Sequence, residues 1–375
     1  MYKESMKLET LERMKYKHEE VWLPCSEDQL GWDDDFYLLM LNDHLRMTAY
    51  KKAIEEAVSP GMSVLDLGTG TGILARWAFE AGAGHVYAIE VNKAVAKQAV
   101  ANMREAGYGD RFELFNALSY DVELPHQVDL VISEIMGNIG DNEDCMPILK
   151  DARNRFLGPD GKMLPLAMKT YIVPVTATAA HQQVVSRNCR VLNPSYKLSD
   201  LLSRLRLDSE FNLYYDAILP QSCYLGDPSL LRSFDFQAGE GDIAYEVERR
   251  FIVTQAGLFT GFKGYFVAKL TSNVEIDISG DDIENHATSD SWKHCYLPIN
   301  KPIAVEAGDE LILNFVRSYP EDKHSPFSKL YHWKGKVRRN GWVLGRYEQT
   351  MAEGCLRSSA GSRLPKRQAE NSDSE

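Results

Sequence analysis

Two glutamates, Glu134 and Glu143, have the types and spacing to hold a cationic group. Glu134 follows the mostly apolar run 128–133, which is typical of a buried strand, and Glu143 comes nine positions later in an acidic loop. An arginine side chain is a planar, delocalised cation that stays protonated at neutral pH. Two carboxylates on that cation would concentrate its charge on the far nitrogens and leave the near nitrogen freer to attack. The pair therefore indicates methyl transfer to a cationic nitrogen, provided that a methyl donor binds nearby.

A glycine-rich loop earlier in the chain supplies a candidate donor site, with glycine at positions 68, 70 and 72. Glycine at a strand-to-helix turn lets the backbone approach a ligand closely. Dinucleotide sites share this pattern. Here, however, Asp66 precedes the loop inside the strand, and Glu90 ends the next strand, where its two oxygens can accept from both ribose hydroxyls. These two acids favour S-adenosyl-L-methionine as the cofactor.

The elements that must position these residues alternate between strand and helix. A helical pattern covers 36–58, and a further amphipathic helix is predicted over 6–20. Strands and helices then alternate in an order that indicates a parallel sheet with crossover helices. The predicted strands are 64–67, 86–89, 112–115 and 128–132, and the predicted helices are 73–81 and 93–106.

After residue 165 the sequence is predominantly of strand composition with short polar turns. A helical insertion with an apolar stripe is predicted over 198–207. From about residue 352 the chain lacks an apolar pattern, which predicts a disordered tail. The strands predicted in this half are 169–175, 243–253, 261–270, 274–278, 304–312 and 335–343, with another at 310–316.

Composition narrows the class of protein. The net charge of −12 disfavours nucleic acid as a partner and favours a basic substrate, although acidity is equally typical of cytosolic proteins in general. No apolar stretch predicts a membrane span or a secretory signal. The six cysteines show no metal-ligand spacing, so we expect reduced thiols, no metal and a cytoplasmic location, with nuclear presence left open.

The string from Met40 to Tyr50, together with the glycine loop, Glu90 and the spacing of Glu134 and Glu143, resembles the protein arginine methyltransferases. The likeness covers roughly residues 36–340. It implies that the two glutamates are the catalytic pair, on a "double-E" loop that grips the substrate guanidinium. It also implies that the β-rich half is a barrel and that an arm at about 190–220 makes head-to-tail homodimers.

With this resemblance, the expected fold is an α/β protein with a Rossmann-like domain followed by a β-barrel-like domain. Its expected parts are N-terminal helices and a cofactor lid (1–58), the cofactor domain (59–165), the barrel with its arm (166–351) and the tail (352–375). The expected activity is methyl transfer to an arginine guanidino nitrogen of a protein. Two alternatives stay open: methylation of free L-arginine or a guanidino metabolite, and a catalytically weak partner subunit of another arginine methyltransferase.

The resemblance also assigns binding residues. Arg46 would pair with the methionine carboxylate of the cofactor. Trp292 would stack on the substrate guanidinium. The full cofactor set is Tyr37, Met40, Arg46, Asp66, Gly68, Gly70, Glu90, Ser119 and Tyr120, and the substrate set is Met40, Asp43, Ser291 and Trp292.

Several positions depart from the family pattern. Ser291 stands where the family usually has a histidine that pairs with the aspartate matching Asp43, and a serine cannot form that ion pair. Tyr120 stands where a glutamate usually contacts the adenine amino group. The usual lid pattern is missing, so either Trp32, Phe36 or Tyr37 covers the cofactor or the lid is less well closed.

The loop between the two glutamates is unusually acidic, because Asp141 and Asp144 stand where the family mostly has apolar or aromatic residues. Free arginine carries a second cation on its α-amine. One of these aspartates could receive that amine, or both could be solvated loop charges.

Overall fold

The computed structural model describes residues 17–24, 34–191, 197–239, 241–283, 285, 287–289, 291–322 and 325–352. The lid residue Trp32, the tail from 353 onward and most of the helix predicted over 6–20 lie outside these ranges. The helices are α1 (Asp34–Asn42), α2 (His44–Ala57), α3 (Ile73–Glu80), α4 (Lys93–Glu105), α5 (Cys145–Phe156), α6 (Thr178–Val185) and α7 (Leu198–Arg204).

The first half of the chain forms a five-stranded parallel sheet in the order β4-β3-β2-β5-β6. Its central strands are almost fully buried, as is usual for parallel strands covered by helices on both faces. The strands are β2 (Ser63–Leu67), β3 (His85–Ile89), β4 (Phe112–Phe115), β5 (Val128–Ser133) and β6 (Leu157–Leu164), and β1 (Val21–Trp22) precedes them in the chain.

The second half is antiparallel. One sheet has the order β1-β8-β13-β11-β7-β9, with β12 paired to β11, and the other has the order β10-β14-β15-β16. The strands are β7 (Ala167–Val175), β8 (Tyr215–Ala217), β9 (Ser229–Asp235), β10 (Tyr245–Ile252), β11 (Gly257–Lys269), β12 (Glu275–Asp277), β13 (His294–Val305), β14 (Glu310–Ser318), β15 (Leu330–Arg339) and β16 (Trp342–Thr350). The predicted fold class, a Rossmann-like parallel sheet followed by a β-rich domain, is confirmed.

Three elements were predicted to be longer than they are in the structure. The helix predicted over 36–58 is divided at Asp43, which adopts an extended conformation and caps α2. The strand predicted over 304–312 contains a turn at Gly308 (φ 93°), which separates β13 from β14. The strand predicted over 335–343 contains the Asn340–Gly341 turn, where both residues have positive φ, as a two-residue hairpin requires.

The N-terminal segment also differs from the prediction, whereas the predicted helix of the arm is present as α7. Residues 17–20, expected to end a helix, include an isolated bridge from His18 to Ile218 and then lead into β1. The apolar side chains of the α7 region, including Leu201, Leu202 and Leu205, are buried within this chain itself. No helix in the part of the chain described by the structure has the length and apolar character to cross a membrane.

Candidate active site

A cavity of about 250 Å³ opens where β2, β3 and β5 end, at the carboxyl edge of the parallel sheet. This edge is where open α/β sheets bind ligands. Helices α1 and α2 form one wall, and residues 291–293, ahead of β13, form another. The predicted site residues that line the cavity are Tyr37, Met40, Arg46, Gly68, Gly70, Glu90, Ser119, Glu134, Glu143, Ser291 and Trp292.

The glycine loop lies at the end of β2 and is held from behind by Asp66. Gly68 and Gly70 have φ of +74° and +55°, the left-handed region that favours glycine. A Cβ at Gly68 would stand 3.2 Å from a methyl group of Ile135. Asp66 accepts hydrogen bonds from the Thr69 hydroxyl (2.6 Å) and the Ala75 N–H (3.0 Å), and burial raises the pKa of its carboxyl to about 7.

Glu90 joins the end of β3 to this loop. One carboxylate oxygen accepts from the Gly70 N–H at 3.0 Å, and the other accepts from the Asn92 N–H at 2.7 Å. Burial raises the pKa of the Glu90 carboxyl, while these N–H groups act in the opposite direction. Each oxygen keeps a lone pair that can accept a ribose hydroxyl. The open glycine cradle and this acceptor pair fit the nucleoside of S-adenosyl-L-methionine.

Two of the residues predicted to bind the cofactor do not line the cavity. Asp66 is fully buried behind the loop, where it fixes the loop conformation without facing a ligand. Tyr120 is 52% exposed and lies outside the cavity lining, whereas its neighbour Ser119 lies within it. Tyr37 lines the cavity from α1, and the side chain of Phe36 is not among those described.

Glu134 faces a guanidinium supplied by the protein. The Arg46 side chain forms an ion pair with Glu134, and its Cζ atom lies 4.5 Å from the centre of the Trp292 ring. Burial lowers the pKa of Arg46, and the nearby charges of Asp43 and Glu143 oppose that shift. A planar cation therefore already lies between a carboxylate and an aromatic face. The sequence predicted this stacking role for Trp292, but with a substrate guanidinium.

The loop that carries both glutamates is packed tightly. Gly137 and Gly140 exchange two backbone hydrogen bonds, of 3.1 and 2.8 Å, which close a turn. The Trp292 indole N–H donates to the Met136 carbonyl oxygen at 2.6 Å, so the loop is fixed to the second half of the chain. Glu143 itself is 8% exposed and lines the cavity.

Asp43 lies just behind the cavity wall and is 1% exposed. It accepts from the Arg46 N–H at 3.0 Å and from the Ser291 N–H at 3.2 Å, and the hydroxyls of Ser289 and Ser291 also donate to it. Hydrogen bonds thus join Asp43 to the segment that precedes β13. Ser289 was not among the predicted site residues, although its position two residues before Ser291 could have indicated that it belongs to the site.

Other polar residues that line the cavity were also missed, among them Asn138, Asp216 and Lys293. The Asn138 side chain donates to Asp216 at 2.6 Å. Asp216 lies on the short strand β8, in sequence far from every other site residue, so no local pattern pointed to it. Their positions extend the polar lining from the glutamate loop to the antiparallel half.

The two extra acids of the loop are not directed at a ligand. Asp141 is 1% exposed and lies 2.8 Å from the Arg317 guanidinium, and Asp144 pairs with Lys329. Neither aspartate is among the residues that line the cavity. The suggestion that one of them receives a substrate ammonium group, or that both are merely solvated, is therefore wrong.

Comparison with known families matches the two halves separately. Residues 48–153 match the family of ribosomal protein L11 methyltransferase (PrmA), and residues 167–331 match the PRMT5 oligomerisation domain. Among curated proteins, protein arginine N-methyltransferase PRMT10 of Arabidopsis thaliana is 28% identical over 76% of this chain and 80% of its own length. An arginine N(omega)-methyltransferase of Streptomyces achromogenes subsp. streptozoticus is 29% identical over 74% of each chain.

Solved structures share the fold. The Arabidopsis thaliana protein arginine methyltransferase 10 structure superposes with a TM-score of 0.69 at 22% identity, over 84% of this chain and 97% of that one. The Trypanosoma brucei PRMT1 enzyme-prozyme complex with AdoHcy gives a TM-score of 0.70 at 21% identity, over 87% of this chain and 99% of that one. The glycine loop, Glu90 and the two glutamates lie on one cavity, and the chain is similar to protein arginine methyltransferases over most of its length.

Proposed function

We propose that this chain transfers a methyl group from S-adenosyl-L-methionine to a guanidino nitrogen of arginine in a protein. The observation that carries the proposal is the guanidinium of Arg46, paired with Glu134 and stacked over Trp292. The same wall that holds this internal cation suits the cation of a substrate arginine. Glu143 lines the same cavity and supplies the second carboxylate.

The residues contribute binding and orientation. When bound, the cofactor supplies a methyl group on a positively charged sulfur. The glycine loop and Glu90 hold its nucleoside, and Arg46 leaves Glu134 to pair with its carboxylate, so that Glu134 is freed for the substrate. Glu134 and Glu143 hold the substrate guanidinium so that one nitrogen faces the methyl group. Alignment of this kind supplies up to about 7–11 kcal/mol in well-oriented intramolecular reactions, so orientation is the main catalytic contribution.

The alternatives have less support. Free arginine would need a partner for its α-ammonium group, and the two aspartates considered for that role are paired with Arg317 and Lys329. A catalytically weak partner subunit would not need Arg46, Glu90, Glu134 and Glu143 together on one cavity. A peptide substrate is also consistent with the net charge of −12, since arginine-rich segments are basic.

We also propose a homodimer in the cytoplasm. The match of residues 167–331 to an oligomerisation domain supports self-association. The leucines of the α7 region are buried within the chain, so the interface would have to use other surfaces of the arm. Light scattering after size exclusion should give twice the mass of the chain, and a monomer at all concentrations would refute the dimer.

Product analysis by mass spectrometry tests the function. The full chain is incubated with cofactor and an arginine-containing peptide, with the same peptide carrying lysine at that position, or with free arginine. We expect a gain of methyl on the arginine peptide alone. Methyl gain on free arginine but not on the peptide would select the alternative substrate, and no product from either would contradict the assigned reaction.

A further inference from the structure

Beneath the loop that carries Glu143 lies a group of five charged side chains, which we call the charge cluster. Four of its side chains are almost fully buried, and that of Asp144 is 42% exposed. The cluster lies outside the cavity lining, and the reaction described above does not use it. Its members are Asp141, Asp144, Asp242, Arg317 and Lys329.

Arg317, on β14, holds the loop on one side of Glu143. Its side chain is completely buried, and its guanidinium lies 2.8 Å from a carboxylate oxygen of Asp141 and also pairs with Asp242. A second guanidinium nitrogen donates to the Ile243 carbonyl oxygen at 2.9 Å and to the Tyr319 hydroxyl at 3.0 Å. Asp141 is thus tied to the rigid frame of an antiparallel sheet.

Lys329, just before β15, holds the loop on the other side. Its side chain is 2% exposed, and its ammonium group pairs with Asp144 and lies 3.2 Å from Asp242. Next to it, the Ser328 hydroxyl donates to the Asn142 carbonyl oxygen at 2.9 Å. Residues before and after Glu143 are therefore fixed to the same part of the antiparallel half.

We propose that Arg317 and Lys329 are positioning residues that set the place of the Glu143 carboxylate through Asp141 and Asp144. This inference rests on the proposed function, because it concerns the clamp on the substrate guanidinium. Asp141 lies two positions before Glu143, and Asp144 directly follows it. A buried charge that loses its partner is strongly unfavourable. The loop therefore cannot shift while both pairs are kept, and Glu143 stays at one distance from Glu134.

The backbone conformation and exposure of Asp144 allow a conservative substitution that tests this proposal. Asp144 has φ of 59°, the left-handed region that asparagine also tolerates, and its side chain is partly exposed. The substitution Asp144→Asn therefore removes the charge and keeps the shape. We expect the kcat for an arginine peptide to fall about 10-fold, since small misplacement at a reacting centre costs up to about 100-fold. The dissociation constant for S-adenosyl-L-methionine, measured by calorimetry, should stay unchanged.

Lys329→Met and Lys329→Arg give a second pair of variants. The methionine variant should lose kcat as Asp144→Asn does, and the arginine variant, which keeps the charge, should retain it. Arg250→Met is the matched control, because it removes a surface ion pair with Glu248 and Glu310 elsewhere in the antiparallel half. It should leave both kcat and cofactor affinity as in the wild type.

Amide hydrogen exchange tests the positioning role independently of the proposed function, because it does not require turnover. Residues 138–144 should exchange faster in Asp144→Asn and at the wild-type rate in Arg250→Met, whether or not any substrate is turned over. A wild-type chain without activity on arginine would refute only the proposed function. Unchanged exchange in Asp144→Asn, or a loss of kcat matched by losses of melting temperature and cofactor affinity, would overturn the positioning role.

Discussion

At the residue scale, the site depends on carboxylates that are buried and already partly satisfied by the protein. Asp43 accepts from two N–H groups and two serine hydroxyls, and Glu90 accepts from two N–H groups. Such bonds fix each carboxylate in place, and Glu90, which lines the cavity, keeps accepting capacity on its two oxygens for a ligand. Glu134 differs, because its main partner is the charged side chain of Arg46.

Gly68→Ala should weaken cofactor binding. The substitution places a side chain at φ +74° and 3.2 Å from Ile135, so the loop must deform. A left-handed conformation costs a non-glycine residue about 1–2 kcal/mol. If the loop moves to avoid that cost, the dissociation constant measured by calorimetry should rise roughly 10-fold, which corresponds to about 1.4 kcal/mol.

Gly308→Ala is the control for this prediction. Gly308 has φ +93° with no neighbouring atom within 4 Å of the added Cβ, and it lies in the turn between β13 and β14. Gly308→Ala should lower the free energy of unfolding about as much as Gly68→Ala does, and it should keep the cofactor affinity of the wild type. Equal affinity of the two variants would show that the Gly68 loop does not hold the cofactor.

Site residues at strand ends could be predicted from the sequence, and those that depend on distant contacts could not. Gly68, Glu90 and Glu134 follow apolar runs, so their common edge of the sheet follows from the order of the elements. Asp141 and Asp144 looked like free acids, because their partners Arg317 and Lys329 lie more than a hundred residues later. The residues around each aspartate do not indicate which distant residue pairs with it.

At the scale of elements, the alternating helices and strands of the first half were predicted closely, because each has a clear apolar period. The predicted elements are wrong at turns that only one or two residues mark in the sequence. These turns are at Asp43 between α1 and α2, at Gly308 and at the Asn340–Gly341 hairpin. Charged residues adjoin the last two turns, and each turn depends on only one or two residues of the chain. The backbone conformation of one or two residues, which composition does not reveal, decides where the element ends.

A buried lysine on β11 makes the folding stability depend on pH. Lys263 on β11 is fully buried, and its ammonium group donates to the Leu219 and Ser279 carbonyl oxygens at 2.9 and 2.8 Å. Burial lowers its pKa from 10.5 to about 7, while Asp281 and Asp277 oppose that shift. Between pH 7 and 10.5 the unfolded chain therefore holds a proton that the folded chain has released. The contribution of Lys263 to the free energy of unfolding is therefore lowest below pH 7 and rises as the pH increases from 7 to 10.5.

Denaturant unfolding at pH 7.0 and 8.5 measures this dependence. The limiting slope for one proton is about 1.4 kcal/mol per pH unit. Compared with Lys263→Met, the wild type should gain free energy of unfolding as the pH rises. An identical pH dependence in the two proteins would show that Lys263 keeps its ordinary pKa in the folded state.

At the scale of the whole molecule, the site lies where two differently built halves meet. The parallel sheet supplies the glycine loop, Glu90 and Glu134, and the segment ahead of β13 supplies Ser291 and Trp292. The whole chain carries a net charge of −12. The overall acidity adds a long-range attraction for basic substrates to the short-range contacts of the cavity.

That attraction should be visible in the dependence of kcat/KM on salt. For an arginine peptide rich in lysine, kcat/KM should fall several-fold between about 0.01 and 0.15 M ionic strength, because the Debye length shrinks from about 30 to 8 Å. A peptide with one arginine and no other charge is the control and should change little. Equal salt dependence of the two peptides would show that the net charge does not steer substrate.

The proposed reaction depends most on Glu134, whose carboxylate would hold the substrate guanidinium. Its most direct test is methyl transfer to an arginine peptide by Glu134→Gln at saturating cofactor, with Glu248→Gln on the exposed face of β10 as the control. Removing one charged contact to a reacting group typically costs about 10²–10³ in kcat. We predict a loss of that size in Glu134→Gln with cofactor affinity nearly intact, and wild-type turnover in that variant would show that Glu134 does not hold the substrate guanidinium.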